Sequence, residues 1–178
     1  LGPIGATAED TALGYIVLAG PDEKDHNSLD HPQVNVERLT DSDLSDVVLG
    51  VYLPWFRHAS PEVVNACEKM LEYLQTCGAQ LREIIIPGLD AARIAHLITI
   101  TGEMTAALDR YYQTHHSEFA LETRLNLALA RSFTARDYIS AQRVRTRLIT
   151  SLEEAFQHVN IIVTPTTGVT APPIRPDA

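Results

Sequence analysis

Lysine is almost missing from this chain: Lys24 and Lys69 are the only two. Basic residues number 14 against 23 acidic ones, for a net charge of -9. Nucleic-acid phosphates need a basic surface, so this balance argues against a DNA or RNA partner. Cysteine is as scarce. Cys67 and Cys77 are the only pair, and both fall on one predicted helix. At ~1.5 Å rise per residue they stand roughly 15 Å apart, beyond disulfide reach. Two free thiols fit a reducing compartment and favour an intracellular setting. No apolar run approaches the ~20 residues of a membrane helix. The opening LGPIGATAED has no initiator Met and no basic signal segment, so a fragment or a processed chain is expected.

Chemical motifs are missing too. There is no Gly-x-Ser-x-Gly elbow, Cys-x-x-Cys, His-Glu-x-x-His, Gly-x-Gly-x-x-Gly or P-loop. A Ser-His-Asp arrangement stays open, because eight serines and seven histidines are present. Asp22, Asp25, Asp30 and Asp41 match no EF-hand spacing. Adjacent His115 and His116 point in different directions, so they do not share a metal. Neither a cofactor nor a metal is expected.

What is present is an ordinary globular composition, 45% hydrophobic and 21% charged over 178 residues, enough for one domain with a core. Thr7-Ala-Glu-Asp10 caps a helix over about 8–18 that stops at Gly20-Pro21. Residues 21–45 read as a polar surface loop. Val47–Tyr52 is a strand. Ser60-Pro61-Glu62 opens a helix with Val63, Val64, Cys67, Met70, Leu71 and Leu74 on its buried face and Lys69 on the other. Gly78 closes it. Gln80–Ile86 is a second strand, ended by Pro87-Gly88. Strand, helix, strand with short connections predicts a parallel βαβ unit. A helical stretch over about 89–113 is weakened by the β-branched run Leu97–Thr101 and by Gly102, so a kink or break is expected there. A shorter helix over about 120–131 carries Leu121, Leu125, Ala128 and Leu129 on one face.

The best-formed part of the chain is Ala135–Gly168: a long amphipathic helix capped by Thr134 and Asp137, a short apolar strand, and a Thr/Pro loop. A strand feeding such a loop is where α/β proteins place ligand contacts. At about 100° per residue, Val144, Ala155, Leu148, Ala141, Val159, Leu152, Tyr138, Phe156 and Ile149 span one apolar arc of the helix. Arg145 falls inside that arc, near 100° from Val144. A guanidinium there must be paired or must line a polar cavity. It is either a structural partner for a carboxylate or loop carbonyl, or a ligand-facing arginine for a carbonyl or carboxylate.

Three blocks resemble the amidase signature family. Leu1–Gly20 is similar to the segment after that family's Gly/Ser-rich signature, with a Gly-Pro, a small-residue turn and a Thr-x-Glu-Asp helix start. Tyr138-x-x-Ala141-Gln142-Arg143-Val144-Arg145 and Asn160-Ile-Ile-Val-Thr-Pro-Thr166 resemble its later helix, strand and loop. Arg131–Gln142 and Ile161–Ala178 are most similar to the plant-type fatty acid amide hydrolase branch. The resemblance implies an α/β fold, a partial amidase-signature domain over 1–178 without the N-terminal catalytic segment and the C-terminal end. Its short, mostly parallel strands carry packed helices. It also implies hydrolysis of a small-molecule amide, of the fatty acid amide type, by a Ser-Ser-Lys mechanism in the longer parent. The family's nucleophile, relay serine, lysine base and oxyanion hole map onto no residue here. No catalytic residue is carried over, and the chain is not expected to be competent alone.

The cleft wall does carry over. Arg145 matches an arginine that contacts the substrate amino acid in the related A-type amidotransferase subunits. Thr164, Thr166 and Thr167 follow the strand and either face the cleft or serve backbone groups of their loop. Glu103 and Met104 border the channel by position only. The alternatives are a non-catalytic ligand-binding or degenerate amidase-like module, and the substrate-binding part of an A-type amidotransferase component. Edges and apolar faces are exposed in a short sheet without further neighbours, so a marginal or self-associating chain, a homo-oligomer, is expected.

Overall fold

The computed structural model describes residues 2–30, 32, 34–36, 39 and 41–174. The chain forms two compact units, Leu1–Ser45 and Asp46–Ala178.

The first unit holds helix α1, Ala8–Leu18. The Thr7 hydroxyl accepts from the Asp10 amide at 3.1 Å, and Glu9 and Asp10 fill the first turn, where the helix dipole favours carboxylates. The loop beyond Gly20 is built from short side-chain turns. Asp22 accepts from the Lys24 amide and Asp25 from the Asn27 amide, each at 2.9 Å. These acidic residues thus serve their own backbone.

The second unit is a three-stranded parallel sheet with helices. Its elements are β1 (Val48–Val51), α2 (Leu53–Phe56), α3 (Pro61–Thr76), β2 (Gln80–Glu83), α4 (Leu89–His115), α5 (Leu121–Ala130), α6 (Ala135–Phe156) and β3 (Ile161–Val163). The strand order is β2-β1-β3. Val48 pairs with Gln80 on one side of β1, and Leu49 with Ile161 on the other. The predicted βαβ unit is therefore present. β1 is central and most buried because both of its edges are bonded. Gly50, in its middle, is tightly enclosed: a Cβ would lie 3.0 Å from Val159 and 3.1 Å from Ile84. Those two belong to a core of Ile84, Ile86, Leu89, Ala155 and Val159, with Trp55, Ala92, Leu148 and Leu152 packed around it.

β2 is shorter than the predicted 80–86. The Ile84 amide still donates to the Val51 carbonyl at 3.0 Å. The chain then turns at Pro87, which has no N–H, and Gly88, whose φ of +79° suits glycine. Met70, assigned to the buried face of α3, is exposed; Leu71 is the residue that buries fully. Ser60 occupies the α3 N-cap position without a side-chain capping bond, and Pro61 carries the start.

Of the kink or break expected near Gly102, the break does not occur: α4 is continuous over 27 residues. Packing outweighs the weak local propensity. α4 lies along α6, with Gly102 against the Tyr138 ring. Thr101 and Thr105 donate their hydroxyls back to the Leu97 and Thr101 carbonyls, at 2.7 and 2.8 Å. Gln142 Nε2 donates to the buried Thr99 hydroxyl at 2.9 Å. α5 also departs from its sequence reading. Leu121, Leu125 and Leu129 are exposed, and Leu127 and Ala130 turn inward.

Candidate functional site

All three parallel strands point their carboxyl ends toward one group of loops. Parallel α/β sheets place ligands at such ends because loops and helix starts converge there. β1 runs into α2, where Pro54, Trp55, His58 and Ala59 gather. β2 leads through the Gly88 turn to the first turns of α4, bringing Asp90 and Arg93. β3 runs into Thr164-Pro165-Thr166-Thr167-Gly168. These residues line a cavity of about 580 Å³. The loop after β3 is tied down at its far end, where the Ser60 amide donates to the Gly168 carbonyl at 2.7 Å.

A second cavity of about 580 Å³ lies between α4 and α6. Leu89, Ala92, Ala95, Ile100 and Leu148 give it an apolar body. Arg93, His96, Thr99, Glu103 and Arg145 supply polar groups. Trp55 and Arg93 line both cavities, so the two adjoin.

The residues singled out in the sequence divide between these spaces. Thr164, Thr166 and Thr167 come together in the first cavity. Thr167 also donates its hydroxyl to the Val169 carbonyl at 2.9 Å, the backbone-serving role open to such loop hydroxyls. Arg145 lies in the second cavity with Glu103. Its place in the apolar arc of α6 does not bury it: the side chain is exposed and makes no hydrogen bond or ion pair among the described residues. Met104 lines neither space.

Glu103 is held from α6. The Tyr138 hydroxyl donates to Glu103 Oε1 at 3.0 Å. That bond to the carboxylate pushes the Tyr138 hydroxyl above its ordinary 10.0. The α6 start is fixed by a capping box. Thr134 Oγ1 accepts from the Asp137 amide at 3.2 Å, and Asp137 accepts from the Thr134 amide at 2.8 Å. The Thr134 side-chain and backbone bonds hold the Asp137 carboxyl below its ordinary 3.8.

Lys69 lines neither of these cavities, and Lys24 belongs to the first unit, where it borders a separate open recess. Lys24 sits in the turn after α1, and Lys69 on the exposed face of α3. Sequence reasoning passed over Trp55, His58, Asp90, Arg93 and His96. A signal was available for Trp55, His58 and Asp90, which follow a strand end by four to seven residues; Arg93 and His96 lie further along α4.

Comparison with known proteins places this geometry. A profile of the family described as Amidase matches residues 1–178. Fatty acid amide hydrolase of Oryza sativa subsp. indica is 39% identical over 179 residues, covering 97% of this chain and 29% of the rice protein. The chain thus spans under a third of that relative's length. Among solved structures, a vestigial protein complex linked to the origins of an s-triazine catabolic enzyme superposes with a TM-score of 0.82 at 24% identity. That match covers 97% of this chain and 37% of the other. The A-type component of the Thermotoga maritima glutamyl-tRNA(Gln) amidotransferase gives 0.75 at 20% identity, over 97% of this chain and 38% of its own. At these identities the structural matches speak for the fold alone. With a family profile spanning all 178 residues and a parallel sheet that those structures share, the chain belongs to the amidase family.

Proposed function

We propose that this chain forms the substrate-cleft wall of an amide hydrolase that cleaves the carbon–nitrogen bond of a fatty acid amide type of substrate. Both units are parts of one amidase-signature domain in this reading. The observation that carries it is the pair of adjoining cavities at the carboxyl end of the sheet, one lined by threonines and the other by apolar side chains. Similarity to a fatty acid amide hydrolase supports the substrate class. Thr164 and Thr166 offer hydroxyls to a carbonyl or headgroup, Thr167 shapes their loop, and Arg145 recognises a carbonyl or carboxylate.

The nucleophilic serine, the relay serine and the lysine base of a Ser-Ser-Lys mechanism are not among these residues in our reading. Lys69, on the exposed face of α3 and outside both cavities, supports that assignment. Treating the purified 178-residue chain with a fluorophosphonate probe should label no serine and release no amine from an amide. Stoichiometric serine labelling would overturn the assignment.

A second reading, the substrate-binding part of an A-type amidotransferase component, is favoured by the exposed Arg145 beside Glu103. Arg145→Ala should then weaken carboxylate-bearing amides far more than neutral lipid amides. Equal weakening of both would speak against it. A degenerate module that binds without turnover would show ligand-dependent thermal stabilisation and no hydrolysis in any assembly.

A further inference from the structure

The apolar cavity between α4 and α6 holds more positive than negative side chains. Arg93 and Arg145 line it against one carboxylate, Glu103, and that carboxylate already accepts from Tyr138. Arg93 stands apart from Arg145 because it lines the threonine-rich cavity as well. It sits on the second turn of α4, and its side chain is exposed. Among the described residues its guanidinium makes no hydrogen bond or ion pair, although Asp90 lies three residues before it. Trp55 shares the same junction. A ligand passing from one cavity to the other therefore meets an unengaged guanidinium and an indole at the crossing point. A guanidinium matches a carboxylate in a two-pronged geometry, and an indole covers an adjoining chain.

We propose that Arg93 is a specificity-determining residue that selects acyl amides bearing a carboxylate, holding that carboxylate at the junction while the acyl chain lies in the α4–α6 cavity. This rests on the cleft-wall reading and deepens it. The neutral amide offers the guanidinium only uncharged carbonyl and hydroxyl oxygens, so the preference is set by one charge-assisted contact. Arg145, on the α6 side of the apolar cavity, does not reach the threonine-lined cavity and contributes less to the preference.

Trp55 is the only tryptophan of the chain, so its emission reports directly on this junction. The test titrates the 178-residue chain with N-dodecanoylglycine and with N-dodecanoylethanolamine, both below their aggregation thresholds. The glycine compound should bind about tenfold or more tightly, the range of a charge-assisted hydrogen bond. Added salt should narrow the gap because the arginine is exposed. Arg93→Gln should abolish the preference, Arg93→Lys should keep part of it, and Arg145→Gln should leave most of it. Circular dichroism of each variant confirms an intact fold. A preference that survives Arg93→Gln, or that falls only with Arg145→Gln, overturns the assignment to Arg93. Equal binding of both amides by the parent chain overturns the carboxylate selection and leaves the cleft wall standing. Failure of either amide to perturb Trp55 overturns both.

Discussion

At the scale of single residues, the strongest constraints are where a side chain is missing or where two polar groups close on each other. Gly50 is the first case. Val159 and Ile84, both core residues, lie 3.0 and 3.1 Å from where a methyl carbon would sit, so they would have to give by a few tenths of an ångström. Gly50→Ala should cost about 1–3 kcal/mol through overpacking, read as a lower urea midpoint with an unchanged slope. Thr134 and Asp137 are the second case. The Asp137 carboxyl is held below its ordinary 3.8 by the capping bonds. A carboxyl with a depressed folded pKa gives stability that is complete above the unfolded value and is lost as pH falls through the folded one. The window is therefore below about pH 4. Thr134→Ala should raise the Asp137 pKa toward its ordinary value in an NMR titration and flatten this acid limb. The capping box was legible from Thr134 and Asp137 alone, because its chemistry is local. The exposure of Arg145 was not, because a helical wheel gives direction and says nothing of how far a neighbouring helix reaches.

At the scale of elements, α5 shows why a periodic pattern can mislead. Leu121, Leu125 and Leu129 recur at helical spacing and read as a buried stripe, yet Leu121 and Leu125 are 59% and 60% exposed while Leu127 is 2%. Periodicity identifies an apolar face; only the neighbouring elements decide what covers it. Leu127→Ala should destabilise by about 2–5 kcal/mol and Leu125→Ala by no more than about 0.5. The reverse order in chemical denaturation would restore the sequence reading of this helix. The α4–α6 pair makes the complementary point. Gly102 and the β-branched run before it predicted a kink or break, but the helix runs unbroken, held by its packing on α6 and by the Gln142 bond to Thr99. Gln142→Ala should leave the buried Thr99 hydroxyl short of its donor and cost about 1–3 kcal/mol. Hydrogen exchange in the middle of α4 should rise with it. The parallel strands, the α6 boundaries and the Thr/Pro loop were readable because each has its own punctuation. The cavity between α4 and α6 joins residues about 50 positions apart, and no local signal marks such a meeting.

At the scale of the whole molecule, the second unit presents a sheet whose outer strands, β2 and β3, each pair on one side only among the described residues. Every residue of β2 is exposed, and Ile161 in β3 is 50% exposed. Open edges and exposed apolar faces both invite association, and a net charge of -9 opposes it. The charge acts over a Debye length of about 8 Å at physiological salt, whereas apolar contact acts at the surface itself, so association should strengthen as salt is added. A second apolar feature is the α5 face, with Leu121, Leu125 and Leu129 exposed. Burying leucines of that kind recovers roughly 1.5–3 kcal/mol each, more than an edge hydrogen bond returns after its exchange with water. Sedimentation velocity at micromolar concentration should therefore show species heavier than the monomer, growing with salt. Leu121→Glu combined with Leu125→Glu should return the chain to the monomer without loss of helicity, because neither side chain belongs to the core. Assembly that persists in this variant and yields to Ile161→Lys would move the contact to the strand edge. A monomer at every concentration and salt would show that the exposed face carries no association at all.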